Sequence, residues 1–316
     1  MLLRPDDAGD IAGQRRRARE AAAGLASLVA GGADLLVVHG NGPQVGNALL
    51  RGAAASPLLP EPPLELAVAA TAGEIGYLLA EALDAALREA GVPRPVAAVV
   101  TRVVIDPNDA GFAEPSKPVG PFYDEPSARA AARERGWKVA EDAGRGWRQV
   151  VPSPPPLAVL EIEPLRALLA AGCVVVAGGG GGVPVGPDAS GSLIGVGAVI
   201  DKDRTAALLA RELGADLLVI LTGVERVIKN FGRKSARALP ALGLRAALRL
   251  HARGQFPSGS MGPKIEAAMA FVGDACRPAL ITSPEALRAA ARGESGTYIV
   301  PEDLWLRGGP WRLLTS

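Results

Sequence analysis

Six short apolar runs in this chain each follow a longer segment with helical spacing, and that rhythm restricts the fold more than any other feature. DLLVVHG (34–40) follows a helix predicted over roughly 12–30, and PVAAVVTRVVI (95–105) follows one over roughly 64–90. CVVVAGG (173–179) comes after EPLRALLAA, and DLLVILTG (216–223) after DKDRTAALLARELGA. PALITS (278–283) and GTYIVP (296–301) close the series, behind PKIEAAMAFVGDA and PEALRAAARG. Strands rich in Val, Ile and Leu, with little polar alternation and a helix before each, imply an α/β fold: an open, mostly parallel sheet sandwiched by helices. In such sheets ligands sit beyond the carboxyl ends of the strands, where the glycine-rich turns after LLVVH and VVVA fall.

Two segments break the rhythm. Residues 106–156 are dense in proline and aromatic residues, and a structureless loop of that length is improbable inside a compact domain, so an inserted subdomain or lid is expected there. The stretch AGGGGGVPVGPDASGS (177–192) is the second, with a flexible connector between lobes as its plain alternative. The chain has 316 residues, enough for one large domain or two lobes. A formal charge of +1 gives no global basic field for nucleic acid, so anion recognition has to be local. Cys173 and Cys276 both flank apolar runs and are expected to be reduced core residues of a cytoplasmic protein. Arg15-Arg16-Arg17 and the alanine-rich stretch after it mimic a signal peptide, but Glu20 interrupts the pattern and a helix of the fold explains it better. No apolar run reaches the roughly 18 residues of a membrane span, so no membrane partner is expected.

Local chemistry concentrates in four places. His39-Gly40-Asn41-Gly42-Pro43 sits between a strand and a helix, as a tight turn or as a loop whose amides approach a small anion. In VIDKDRTAA, Asp201 and Asp203 suit a helix start, where either could cap, whereas Lys202 is on the wrong end of the helix dipole and implies a negative ligand nearby. SGSMGPK repeats the arrangement with Lys264 behind Pro263, and PSKPVG places Lys117 between stiffening prolines in the inserted segment. Each lysine alone reads as a solvated surface charge; three of them, each beside a glycine- or proline-fixed loop, do not.

The set HGNGPQVGN, DPNDAGF with PSKPVG, EDAGRGWRQVVPSP, AGGGGGVPV, VIDKD, LGADLLVILTGV and GSMGPK resembles, in order, the motifs of the carbamate kinases of the amino-acid kinase family. The resemblance implies a carbamate and carbamoyl-phosphate lobe over 1–186 that includes a lid at 106–156, and a nucleotide lobe over 187–316. It further implies a homodimer, ATP or ADP with Mg2+, and no metal site of the protein's own. Lys202 and Lys264 would contact the phosphates being exchanged, Asp203 would orient them, and Lys117 would reach in from the lid. Gly40, Asn41 and Gly42 would cradle carbamate or its phosphate. Gly178, Gly179, Gly180 and Gly181 would approach the other phosphates or set the junction between lobes. Thr222, Gly223, Val224, Met261 and Gly262 would lie along the nucleotide. Carbamate is already an anionic nucleophile, so His39 reads as a positioning or structural group, and Arg145 and Arg148 as lid contacts or a structural ion pair. Ala72, Gly223 and Pro155 stand where the family usually carries glutamine, aspartate and lysine. A catalytically impaired relative and a sister kinase for another small carboxylate or phosphonate are the alternatives. The family opens with a strand and a Gly-Gly-Asn loop, whereas this chain opens with MLLRPDD; the expectation is that Met1 is an internal start and the natural protein is longer by about one strand and its loop.

Overall fold

The structure, a computed structural model, describes residues 10–56, 58–142, 144–256 and 261–306. The MLLRPDD start and the Ser258-Gly259-Ser260 part of the loop before Met261 lie outside the described residues. The amino-terminal elements are α1 (Ile11–Ala30), β1 (Leu36–Val37), α2 (Gly42–Ala55), α3 (Leu64–Glu89), β2 (Val96–Ala98) and β3 (Arg102–Val104). The inserted segment carries β4 (Lys117–Tyr123), α4 (Glu125–Arg135), β5 (Lys138–Glu141) and β6 (Trp147–Val151). Then come β7 (Ala158–Val159), α5 (Ile162–Ala170), β8 (Val174–Val176), β9 (Val183–Pro187), β10 (Leu193–Gly195), α6 (Lys202–Leu213) and β11 (Leu218–Leu221). The chain ends with β12 (Val227–Lys229), β13 (Arg237–Leu239), β14 (Ala241–Gly243), α7 (Leu244–Ala252), α8 (Met261–Ala275), β15 (Ala279–Thr282), α9 (Leu287–Ala291), β16 (Thr297–Val300) and α10 (Glu302–Leu306).

The sheets are mixed where the apolar runs suggested mostly parallel pairing. Strands β1, β8 and β2 form a wholly parallel sheet, and β11 pairs parallel with β15. Strand β16 then runs antiparallel to β15 and parallel to β14. The helix between β15 and β16 is a single short turn, too short for the crossover a parallel pair requires. The run 95–105 supplies two strands in different sheets, because β2 joins β8 whereas β3 pairs with β9 and β7. Among the described residues β1 and β11 each carry a ladder on one side only. Val219 and Leu221 of β11 nevertheless pack against the cluster that holds Leu35 and Val37, so the two sheets meet at these edges.

Helix α3 is long and apolar enough to cross a membrane by length alone, which the sequence reading did not anticipate. Here it is a core helix: Ile75, Leu79, Leu83 and Leu87 form one buried stripe with Ala18, Ala22 and Leu25 of α1. Cys173 is buried, but Cys276 is exposed, contrary to expectation. It follows directly on α8 with φ +52°, in the left-handed position that ends a helix, where the side chain turns away from the core.

The inserted segment folds as its own sheet, in the order β4-β6-β5, with α4 against it. It docks on α2 through two glycines: a Cβ on Gly46 would lie 1.8 Å from the Cα of Gly120, which itself has φ +76°. Nothing larger fits without moving one backbone. Inside a helix Gly→Ala ordinarily stabilises by about 0.5–1 kcal/mol. Gly73→Ala, in open space on α3, should follow that rule in urea unfolding. Gly46→Ala should reverse its sign and destabilise by about 1–3 kcal/mol, as overpacking does; equal effects for the two would show that the contact is not tight.

Candidate functional site

Two helices place their first turns together. Asp201 caps α6, accepting from the amides of Asp203 (2.8 Å) and Arg204 (3.3 Å), so Lys202 and Asp203 are fixed in the first turn. Helix α8 packs beside α6 and carries Lys264 in its own first turn. Each helix runs back along the strand that follows it, α6 along β11 and α8 along β15, through a short connection. Both amino ends therefore meet the carboxyl ends of these strands, where the amide of Thr222 donates to the carbonyl of Thr282 at 2.8 Å.

One carboxylate oxygen gathers the charges. Oδ2 of Asp203 lies 2.8 Å from Nζ of Lys264 and 3.6 Å from Nζ of Lys202. Asp203 and Lys264 are largely buried, and Lys202 is partly exposed. Burial lowers the pKa of Lys264, Lys202 lowers it further, and Asp203 works against both. Lys117 of the inserted sheet reaches across to Oδ2 of Asp201 as an ion pair. Burial pulls the Asp201 carboxyl toward the neutral form, but Lys117, with Lys202 and the Asp203 amide, outweighs it and holds the carboxyl far below the usual range. Asp201 thus does two jobs, of which only the capping was legible.

The opposite wall is the turn after β1. A Cβ on Gly40 would sit 3.0 Å from Cδ of Lys202, and one on Gly42 would sit 3.7 Å from the carbonyl of Pro118, beside Lys117. The HGNGP turn, the inserted sheet and the α6 start therefore enclose one space. Asn41 departs from the expected role: its side chain is buried and donates to Oγ1 of Thr71 at 3.0 Å, away from that space. What the turn offers a ligand is backbone, since the helix itself leaves the amides of Gly42 and Gln44 without carbonyl partners.

The five-glycine stretch is filled by its own surroundings. The amides of Gly178, Gly180 and Gly181 donate to Thr101, His39 and Gly178, and a Cβ on Gly179, Gly180 or Gly181 would strike His39, Asn41 or Ile200. Of the two roles expected for these residues, this placement fits the junction; amides spent inside the chain do not fit phosphate binding. His39 lies against Gly179 with Nδ1 3.3 Å from the carbonyl of Gly40. Burial drives its pKa down to about 4, against the carbonyls of Gly40 and Ala72. Arg145 and Arg148 pair with buried Asp142 and flank Phe122, so they hold the inserted sheet together. Of the unusual positions, Ala72 is buried near Gly179, Pro155 is exposed, and Gly223 stands in open space with nothing in its surroundings that requires glycine.

No group of three or more His, Cys, Asp or Glu side chains gathers as a metal site among the described residues. Three lysines against two carboxylates leave the space net positive, with the amino ends of α2, α6 and α8 adding to it. Such a site suits phosphate groups held in line.

Known proteins carry the same architecture. The Amino acid kinase family matches residues 8–283. The carbamate kinase of Thermococcus kodakarensis is 42% identical over 304 residues, covering 95% of this chain and 96% of its own. Carbamate kinase 2 of Enterococcus faecalis is 45% identical over 289 residues, covering 91% and 92%. The structure of the Giardia lamblia carbamate kinase bound to AMP-PNP superimposes with a TM-score of 0.86 at 37% identity, covering 95% of each chain. The chain belongs to the amino acid kinase family, in its carbamate kinase branch.

Proposed function

We propose that the chain moves a phosphoryl group reversibly between ATP and carbamate, forming ATP and carbamate from ADP and carbamoyl phosphate. The observation that carries this reading is the convergence of Lys202 and Lys264 on one Asp203 oxygen, at two helix starts facing Gly40. In the ATP-forming direction a β-phosphate oxygen of ADP attacks phosphorus and the bond to the carbamate oxygen breaks. Carbamate leaves as an anion and, taking up a proton from water, decomposes to ammonia and CO2. The transfer itself moves no proton, so the protein's task is to align two anions and neutralise the equatorial oxygens. Lys202 and Lys264 supply that charge, Asp203 keeps them side by side, and Lys117 closes on the phosphoryl group. The Gly40–Gly42 turn holds carbamate through backbone amides. Thr222, Gly223, Val224, Met261 and Gly262 flank the nucleotide, and Mg2+ enters on its phosphates, as substrate.

This reading divides the chain into a carbamate lobe (1–186, with the lid at 106–156) and a nucleotide lobe (187–316), at work in the cytoplasm. It also includes a homodimer. Leu66 and Tyr77 are exposed along one line of α3, and exposed Leu193 and Ile194 lie on β10, which touches the start of that helix through Gly195 and Glu65. Sedimentation velocity should give a dimer, and Leu66→Glu with Tyr77→Glu a monomer; a monomeric wild type removes the dimer from the reading.

A coupled assay of ATP formation from ADP, Mg2+ and carbamoyl phosphate tests the reaction. Lys202→Ala and Lys264→Ala should each cost about two to three decades in kcat with smaller effects on ADP binding, as loss of a preorganised charge does. Lys117→Ala should cost less, and Lys138→Ala, whose ammonium donates to the carbonyl of Ala113, almost nothing. ADP binding without turnover would return the impaired reading, and turnover of other acyl phosphates in preference would return the sister kinase.

His39 supplies a pH signature. Its native pKa of about 4 lies below the ordinary value of about 6.5, so between these values the unfolded chain binds a proton that the native chain does not. The stabilisation is complete above about pH 6.5 and is lost as pH falls toward 4. Urea unfolding should show His39→Gln losing about 2 kcal/mol less than wild type between pH 7 and pH 5. Parallel losses would mean that His39 titrates normally.

A further inference from the structure

On the face of the carboxy-terminal half formed by the β12–β13 hairpin and α7, a cleft of about 490 Å³ opens between elements that supply none of the residues assigned above to phosphoryl transfer or nucleotide contact. Leu239, Leu242, Ala246 and Leu250 line it with apolar surface. Lys229, Arg237, Arg249 and Arg253 line it with cations, and no carboxylate lines it. This is unusual for the chain. Arginines elsewhere are mostly neutralised, as in Arg94–Asp34, Arg102–Glu161, Arg204–Glu266 and Arg211–Asp274. Lys229, Arg237, Arg249 and Arg253 have neither an ion pair nor a side-chain hydrogen bond among the described residues. Like charges facing one cleft repel, and a multivalent anion removes that repulsion while taking guanidinium forks in the geometry they favour.

We propose that this cleft is a second anion site, separate from the transfer site, for a small organic molecule that carries at least two negative charges on a partly apolar body. The amide of Asn230, which lines the cleft, donates to Oε1 of Gln255 at 3.3 Å, and Gln255 lies shortly before the first turn of α8, where Lys264 stands.

Phosphates and carboxylates share this chemistry, so phenyl phosphate and tricarballylate are the two probes. Each is titrated calorimetrically into the full chain already saturated with ADP, at fixed ionic strength, beside an Arg237→Glu, Arg249→Glu double variant. Both arginines are exposed, and the thermal midpoint of the variant shows that it folds. One equivalent of at least one probe should bind the ADP-saturated wild type, and the variant should lose at least tenfold in affinity for it while keeping wild-type affinity for ADP. An Arg237→Gln, Arg249→Gln variant should fall between the two. The probe that binds more tightly assigns the acid group. Equal binding by wild type and variant overturns the proposal, as does binding of neither probe or complete exclusion of both by ADP. ADP affinity is measured separately, so a failure of the nucleotide reading is distinguished from a failure of this one.

Discussion

The site depends on one carboxylate. Lys202 and Lys264 bring two ammonium groups to within 3.6 Å of the same Asp203 oxygen. With both groups on one oxygen they stand no more than about 6.4 Å apart, and two such charges repel by at least about 2.6 kcal/mol at the effective dielectric of a protein surface. Unsupported, they would turn away from each other into solvent. Asp203 holds them together, and its own orientation is fixed because Asp201 has already locked the first turn of α6. A single helix start therefore organises charges from two helices and, through Lys117, from the inserted sheet.

Glycine does the complementary work on the opposite wall. The approach of α2 to β4, of Gly40 to Lys202, and of the 178–182 turn to His39 and Asn41 all occur where a Cβ would collide. These contacts set how far apart the walls of the site stand. A glycine-rich sequence near a strand end is commonly taken as a phosphate loop, yet in the 178–181 stretch most amides are occupied within the chain and side chains of neighbouring loops fill the missing Cβ space. The freed volume serves the protein, whereas the helix itself leaves the first-turn amides of Gly42 and Gln44 in α2 without carbonyl partners.

How much of this was readable in the sequence follows from the range of the forces involved. Helix limits come from local signals, so α1, α3 and α6 fall near their expected positions, with Asp10 and Asp201 as caps and Gly214 as terminator. Strand pairing comes from contacts distant in sequence; the split of 95–105 between two sheets left no local mark, and the reversal of β16 was marked only by the short helix before it. In the same way Lys202 stood out because it opposes the helix dipole, whereas the partnership of Lys117 with Asp201 spans 84 positions and carries no periodic signature. Cys276 shows the limit of apolar context: one residue past a helix end, a left-handed backbone overrides the neighbours' hydrophobicity.

The paired state of the lysines also decides what kind of ligand the site can select. Each of the three ammonium groups already has a carboxylate neighbour, so an entering anion exchanges one partner for another and does not simply add a new one. A singly charged anion gains little from such an exchange, because it must displace carboxylates of equal charge that are already held in place. A phosphoryl group in flight spreads its charge over three equatorial oxygens and presents several acceptors at once, which a single carboxylate oxygen shared by two lysines cannot match. In the proposed reaction a phosphoryl group therefore competes for the lysines where a singly charged anion does not, because the Asp203 and Asp201 carboxylates keep them from closing on weaker anions. That preference for a phosphoryl group over singly charged anions suits the proposed transfer, and it follows from two aspartates standing on either side of one lysine, Asp201 and Asp203 around Lys202.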